Sequence, residues 1–243
     1  MNAYNKPLVV ITGASSGIGS AIAKLFSANG YPLLLLARRI DKLKDLNLPN
    51  TLCKKVDVTN STELVQAIGE AQEKYGPVEA MINNAGVMLL GDITNQDSDE
   101  WKQMFDVNII GLLNGMQAVL PSMRERKTGT IINIGSIAGR KTFPNHTAYV
   151  GTKFGVHAMT ENVREEVAAD NVRMVTIAPG AVETELLSHT TSDEIISAYE
   201  DWKKDMGQIL KAEDVANAVW FAFSQPQSVN IREIVLATTK QEA

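Results

Sequence analysis

A tyrosine and a lysine four residues apart, Tyr149 and Lys153, are the pair in this sequence that is best suited to proton transfer. They begin a stretch with helical spacing, and residues four apart share one helix face, so both side chains can point into the same space. A tyrosine hydroxyl has a reference pKa of about 10 and is a poor acid or base at neutral pH. A neighbouring ammonium would stabilise the phenolate and lower that pKa. Tyr149 could then act as a general acid or base; the alternative is a surface pair, since this spacing is common.

Two further polar residues could assist such a proton transfer. Ser136 follows a predicted strand at the edge of the predicted sheet, where its hydroxyl could hydrogen-bond a substrate oxygen as charge develops there. Asn108 falls inside a predicted helix, where asparagine is unfavourable. A buried Asn108 could hold a water that passes protons onward from Lys153. Serine and asparagine are frequent in loops and caps, so neither residue alone identifies a site.

The segment from Thr12 to Gly19, with the sequence TGASSGIG, lies between the first predicted strand and the first predicted helix. Its glycines allow a tight turn and let backbone N–H groups approach a pyrophosphate, while the helix N-terminus adds a partial positive charge. Glycine-rich turns also occur for other reasons. The position between a strand and a helix nevertheless favours a dinucleotide cofactor.

The end of the second predicted strand indicates which nicotinamide nucleotide is bound. An NAD site typically has an acidic residue there for the ribose 2′-hydroxyl, whereas this chain has Ala37 followed by Arg38 and Arg39. Guanidinium groups bind phosphate through paired, charge-assisted hydrogen bonds. The two arginines therefore predict NADP(H). The alternative is a solvated basic helix start that also includes Lys42 and Lys44.

The elements that must position these residues alternate along the chain between short apolar runs and longer amphipathic stretches. Most of the short runs are continuously apolar, as in strands that are covered on both faces. The longer stretches have helical spacing. The alternation predicts an α/β fold with a seven-stranded, doubly wound parallel sheet and helices on both faces. The predicted strands are Leu8–Thr12, Pro32–Ala37, Leu52–Val56, Val78–Asn83, Thr130–Gly135, Val172–Ile177 and Ile231–Leu236.

No linker, repeat or low-complexity segment divides the sequence, so we expect residues 1–243 to form a single domain. The segment 183–210, from Glu183 to Leu210, interrupts the alternation after the sixth predicted strand. An insertion beyond the carboxyl end of a strand could form a lid over the crevice and cover the substrate. The alternative is a peripheral pair of helices.

The composition is that of an ordinary globular protein and excludes several classes of function. The net charge of −5 leaves no basic surplus for nucleic acid. The longest apolar run, Leu33 to Ala37, is too short to span a bilayer, and Met1 to Lys6 lack a secretory signal. A single cysteine, Cys53, excludes an internal disulfide, and no group of His, Cys, Asp and Glu has metal-ligand spacing. We therefore expect a cytoplasmic protein without a metal, nucleic-acid or membrane partner.

Together, these motifs resemble the short-chain dehydrogenase/reductase family in its compact single-domain branch, and in particular its NADP-preferring bacterial-type members. The resemblance covers nearly the whole chain and also includes Asn83 to Gly86 and Pro179-Gly180. It implies a Rossmann-type fold and an enzyme that acts on CH–OH groups. The reaction would transfer a hydride between NADP(H) and an alcohol or carbonyl group of a small molecule, such as a hydroxy acid, an aldehyde or a ketone.

The resemblance also implies roles for individual residues. The catalytic tetrad would be Asn108, Ser136, Tyr149 and Lys153. Tyr149 would be the general acid/base, Ser136 would hold the substrate oxygen, Lys153 would also bind the nicotinamide ribose, and Asn108 would anchor a relay water. The predicted cofactor-binding residues are Gly13, Ser15, Ser16, Gly17, Ile18, Gly19, Arg38, Arg39, Asp57, Val58, Asn84, Ala85, Gly86, Tyr149, Lys153, Pro179, Gly180, Val182 and Thr184.

The predicted substrate site is mostly apolar, which favours a carbonyl compound of modest polarity. The predicted substrate contacts are Ser136, Ala138, His146, Tyr149, Ala181 and Leu187, in a pocket that Met88, Leu89 and Phe143 also line. His146 has loop capping as an alternative role. In the family, helices corresponding to Trp101–Met123 and Tyr149–Ala169 pair with those of a second subunit, so we expect a homo-oligomer, either a dimer or a tetramer.

Two other functions are compatible with the same fold. A redox-sensing regulator would bind NADP(H) without turnover and is typically recognised by a damaged tetrad, which this chain does not have. An isomerase or dehydratase that retains its cofactor typically carries a larger C-terminal substrate domain. This chain has no room for such a domain.

Overall fold

Seven parallel strands form one sheet in the order β3-β2-β1-β4-β5-β6-β7. The computed structural model describes residues 6–241, so the prediction that Met1 to Lys6 lack a secretory signal falls almost entirely outside the described residues. The predicted doubly wound parallel sheet is confirmed, and each predicted strand end lies within two residues of the observed one. The strands are β1 (Leu8–Thr12), β2 (Leu33–Ala37), β3 (Thr51–Lys55), β4 (Val78–Asn83), β5 (Thr130–Ile134), β6 (Arg173–Pro179) and β7 (Glu233–Leu236).

Helices cover both faces of this sheet. They are α1 (Gly17–Ala28), α2 (Ile40–Lys44), α3 (Ser61–Tyr75), α4 (Ser98–Phe105), α5 (Gly111–Arg126), α6 (Thr147–Val167), α7 (Asp193–Met206) and α8 (Ala212–Phe223). Alternate strand residues face opposite sides: Val9 and Ile11 pack with α1 and α8, whereas Leu8 and Val10 pack with α3, α5 and α6. Both faces of β1 are therefore buried, which explains its continuously apolar sequence.

The predicted helix Trp101–Met123 is divided in the structure. A π-helical turn, Asp106–Ile110, separates α4 from α5. Such a turn widens the helix locally and is frequent at functional sites. It contains Asn108, which is buried.

The segment 183–210 follows β6, and its last residues lie beside its first. It contains a short 3₁₀ helix, Glu185–His189, and α7. Its two ends are held together because Leu210 donates to the Ala181 carbonyl at 3.0 Å and accepts from the Glu183 N–H at 2.8 Å. Within residues 6–241, no helix has both the length and the apolar character that crossing a membrane requires.

Candidate active site

A cavity of about 640 Å³ opens at the carboxyl edge of the sheet. Its lining includes the residues that follow the first six strands, among them Gly13 after β1 and Asn84 after β4. The order of the strands reverses between β1 and β4, and this switch point is where open α/β sheets bind ligands. Every predicted cofactor residue except Gly19, and every predicted substrate residue, lines this cavity.

The loop after β1 is shaped for close approach by a ligand. Gly13 and Gly17 have φ values of 63° and 50°, which side chains rarely adopt. A Cβ at Gly13 would lie 2.8 Å from the Ala85 Cα, and one at Gly17 would lie 3.1 Å from the Thr184 Cγ2. The N-cap of α1, Ser16, makes no side-chain capping bond, and the first turn has no acidic residue. The free N–H groups of this turn therefore fit a pyrophosphate.

Gly19 packs against the glycine loop on the side away from the cavity. It is buried, and a Cβ there would lie 2.5 Å from both the Asn84 Nδ2 and the Gly13 carbonyl oxygen. Asn84 in turn donates to the Thr12 and Gly13 carbonyls at 3.0 and 3.2 Å. The Thr12 hydroxyl accepts from the backbone N–H groups of Asn84 and Ala85. Gly19 thus allows the β1 and β4 loops to pack together, and it does not face the cavity.

The two arginines after β2 lie at one end of the cavity. Arg39 donates to the Ser16 hydroxyl at 2.7 Å and to the Ser15 hydroxyl at 3.2 Å, and its Nη1 lies 2.8 Å from a Glu185 carboxylate oxygen. Arg38 is exposed and forms no ion pair with any residue from 6 to 241. Of the two, Arg38 is therefore the cation whose charge is not already balanced by an ion pair.

Three of the four predicted catalytic residues meet beside the cavity. Tyr149 and Lys153, one turn apart on α6, are both buried, and the lysine Nζ lies 5.7 Å from the centre of the tyrosine ring. Lys153 donates to the Ile134 carbonyl at the end of β5 at 2.9 Å. The Ser136 hydroxyl accepts from the Ala138 N–H at 3.0 Å and donates to the Pro179 carbonyl at 3.5 Å, and Ser136 lines the cavity with Tyr149. The ends of β5 and α6 therefore bring a hydroxyl, a phenol and an amine together.

Burial dominates the electrostatics of this cluster. Burial raises the pKa of Tyr149 above its ordinary value, the nearby Tyr199 raises that pKa further, and the Ser136 hydroxyl lowers it. Burial also lowers the pKa of Lys153 to about 8. In the protein alone, burial has the larger effect on Tyr149, because the phenolate would lose its hydration in an apolar cluster. That Lys153 and the positive nicotinamide ring of NADP+ together lower the tyrosine pKa stays a prediction. At neutral pH, Tyr149 keeps its proton and Lys153 is mostly charged.

The fourth predicted catalytic residue, Asn108, does not line the cavity. Its Oδ1 accepts from the Val87 N–H at 2.8 Å, and its Nδ2 donates to the Val87 carbonyl at 2.9 Å and to the Thr152 hydroxyl at 3.1 Å. Thr152 lies between Tyr149 and Lys153 on α6. The Asn108 side chain therefore joins the π-helical turn to the β4 loop and to the helix that carries the reacting groups. Its relay water stays a prediction.

The segment 183–210 contributes residues that the sequence analysis missed. On α7, Ile195, Tyr199 and Trp202 line the cavity at spacings of four and three residues, a helical pattern that could have been recognised. The Tyr199 ring lies 6.2 Å from that of His146, which in turn lies 6.3 Å from that of Tyr149. Glu185, Leu90 and Gln241 were also missed, and Leu90 lines the cavity in place of the predicted Leu89.

No cluster of three or more potential metal ligands occurs in the described part of the chain. The glycine loop, the uncapped helix and the side chains of Ser136, Tyr149 and Lys153 instead share one cavity at the switch point of a doubly wound sheet. This fold and site define the class of Rossmann-type dinucleotide-binding proteins.

Within this class, the family described as short chain dehydrogenase matches residues 7–195, and the chain belongs to that family. An uncharacterised oxidoreductase of Staphylococcus saprophyticus is 39% identical over 251 residues, which cover 99% of each chain. Another, from Listeria monocytogenes, is 39% identical over 249 residues with the same coverage. The chain is therefore an oxidoreductase of this family.

Two solved structures are also similar. The closed form of serine dehydrogenase complexed with NADP+ has a TM-score of 0.91 at 29% identity, covering 97% of this chain and 96% of that chain. An alcohol dehydrogenase of Thermococcus sibiricus complexed with 5-hydroxy-NADP has a TM-score of 0.85 at 25% identity, covering 98% and 99%. Both structures contain an NADP-type nucleotide.

Proposed function

We propose that this protein is an NADP(H)-dependent enzyme that interconverts an alcohol and a carbonyl group of a small molecule, with Tyr149 as the general acid/base. The observation that carries the proposal is one continuous cavity. At one end it has two arginines and an uncapped helix N-terminus, and at the other it has Tyr149, Ser136 and Lys153. The NADP-type nucleotides in two similar structures support the same cofactor.

The cavity residues divide the reaction between them. When bound, NADPH supplies the hydride that reduces the carbonyl carbon. Ser136 donates a hydrogen bond to the substrate oxygen and so stabilises the negative charge that develops on it. Tyr149, protonated at neutral pH, transfers its proton to that oxygen. The positive charge of Lys153 then stabilises the phenolate that remains. In the oxidative direction, the proton moves from the alcohol to the Tyr149 oxygen.

Residues 183–210 act in this proposal as the lid over the substrate. Leu187 in the 3₁₀ helix and Tyr199 on α7 pack in the same apolar cluster as Tyr149 and Ala138. An apolar cover excludes water and strengthens each electrostatic interaction beneath it. The substrate class that fits this lining is a small aldehyde, ketone or hydroxy acid. NADPH oxidation by the purified protein, measured across a panel of aldehydes, ketones and keto acids, tests the activity.

The preference for NADP(H) depends in this proposal on Arg38. The variant Arg38→Ala should weaken NADPH binding by about tenfold or more, because a charge-assisted hydrogen bond contributes roughly 1.5–3 kcal/mol. NADH binding should change by less than about twofold, since NADH lacks the 2′-phosphate. Calorimetric titration with each nucleotide measures both constants. The matched control is Lys44→Ala, which removes one positive charge from exposed α2 outside the cavity. Equal losses for NADPH and NADH in Arg38→Ala would disprove this assignment.

We also propose that the chain assembles as a homo-oligomer. An apolar surface on α4, the π-helical turn, α5 and α6 is exposed, and it includes Phe105, Ile110, Leu113 and Phe154. An exposed patch of this kind typically marks an interface. Light scattering should give a mass of two or four chains, and the mass of one 26.5 kDa chain would reject the proposal. The cytoplasmic location stays a prediction.

A further inference from the structure

A carboxylate of the lid occupies the region where the cofactor phosphate is expected. One Glu185 oxygen lies 2.8 Å from the Arg39 Nη1, and the other lies 3.2 Å from the Lys42 Nζ. The hydrogen bonds with these two cations lower the pKa of Glu185 to about 2, so the carboxylate is charged at neutral pH. Glu185 also lines the cavity beside both arginines.

Arg39 also holds the glycine loop through hydrogen bonds. Its Nε and Nη2 donate to the hydroxyls of Ser15 and Ser16, while its Nη1 faces Glu185. The N–H groups of Arg39 are therefore divided between the loop and the lid. A second anion can bind Arg39 fully only if it replaces Glu185, because two negative groups on one guanidinium repel each other.

We propose that Glu185 is a specificity-determining residue, a built-in anion that competes with the 2′-phosphate of NADP(H) for Arg39 and Lys42. This inference rests on the proposed function in taking the arginine end of the cavity as the phosphate site. NADH carries no group that must replace the carboxylate, so Glu185 reduces the affinity for NADPH alone. Arg38, which has no ion pair with the residues that the structure describes, supplies attraction for the phosphate, and Glu185 limits how far that attraction favours NADPH.

The size of the effect follows from the exposure of the ion pair. The Arg39 and Glu185 side chains are 48% and 50% exposed, and exposed ion pairs are weak. The variant Glu185→Gln keeps the shape of the side chain and removes its charge. It should tighten NADPH binding by about threefold to fivefold and leave NADH binding unchanged. Both dissociation constants are measured by calorimetry on the protein without substrate, so the result does not depend on turnover.

Two controls separate competition at Arg39 from a general charge effect. Glu183→Gln removes the same charge two residues away, on an exposed side chain that does not line the cavity, and should leave both constants unchanged. The gain from Glu185→Gln should also shrink when it is measured in an Arg39→Ala background, because half of the ion-paired site is then gone.

Three results would overturn the inference: an equal gain from Glu183→Gln, an equal gain for NADH, or weaker NADPH binding by Glu185→Gln. The last result would mean that Glu185 orients Arg39 rather than competing for it. A wild-type protein without any preference for NADPH would contradict the proposed cofactor choice. In that case, a gain confined to NADPH in Glu185→Gln would still support the inference.

Discussion

The variant Tyr149→Phe should bind NADPH as the wild type does but reduce carbonyl substrates roughly 10²–10⁴-fold more slowly, which is the usual contribution of a general acid. The phenylalanine ring retains the packing of Tyr149 in its apolar cluster, and only the hydroxyl is lost. Because no other group takes over the proton transfer, the loss should appear in kcat. The loss of NADPH absorbance at saturating nucleotide and carbonyl measures it.

A second tyrosine in the same cavity provides a matched control. Tyr199 lines the cavity from α7, and its burial raises the pKa of its hydroxyl to about 12. Tyr199→Phe should lower kcat by less than about tenfold, because in our assignment this hydroxyl transfers no proton. A Tyr149→Phe protein that kept a tenth or more of the wild-type kcat would contradict the assignment. So would an equal loss in both variants.

Local chemistry explains why most of the fold could be predicted. A parallel strand buried on both faces is mostly apolar, so β1 and β2 appear in the sequence as almost continuously apolar runs. The glycine loop could be recognised because Gly13 and Gly17 adopt conformations that side chains rarely adopt. Tyr149 and Lys153 are predicted to share a helix face, and both lie on α6.

Contacts between distant parts of the chain could not be predicted in this way. Arg39 and Glu185 are 146 residues apart, and neither residue alone predicts the ion pair. The π-helical turn was not predicted either, because such turns are rare and occur mostly as single-turn insertions within α-helices. The hydrogen bonds of the Asn108 side chain are likewise made with other segments, namely with Val87 after β4 and with Thr152 on α6. The residues of a site can thus be recognised locally, whereas their charges and partners depend on packing.

The pKa values of the reacting groups illustrate this limit. The sequence predicts that an ammonium and a bound NADP+ ring together lower the tyrosine pKa, but in the protein alone both groups are buried, and burial opposes the charged form of each. A pattern of residue types specifies which groups are close together. It does not specify how much water they retain, and in this cluster the loss of water has the larger effect.

Lys153 should therefore limit the pH range of the enzyme. Burial lowers its pKa to about 8, so the protein without substrate loses the ammonium as the pH rises through that value. Because kcat/KM reports the free enzyme, kcat/KM for reduction should fall above about pH 8. The variant Lys153→Met should lose roughly 10²–10³-fold in kcat, the cost of removing one electrostatic stabiliser. Its residual activity should no longer fall through pH 8, and the full pH profile of each protein measures this.

The same pKa shift predicts an effect on stability that does not involve catalysis. The lysine pKa is lowered in the folded protein but is about 10.4 in the unfolded chain. Between these values the unfolded chain binds more protons, so the contribution of Lys153 to the free energy of unfolding rises with pH from about 8 to 10.4. Urea titrations at pH 7 and pH 9.5 should show a rise in the free energy of unfolding that is larger in wild type than in Lys153→Met.

A matched control, Lys203→Met, removes another lysine from the cavity lining. It should retain both the wild-type rise in the free energy of unfolding and the decline in kcat/KM above about pH 8. If Lys153→Met kept both as well, the pKa near 8 would belong to another group.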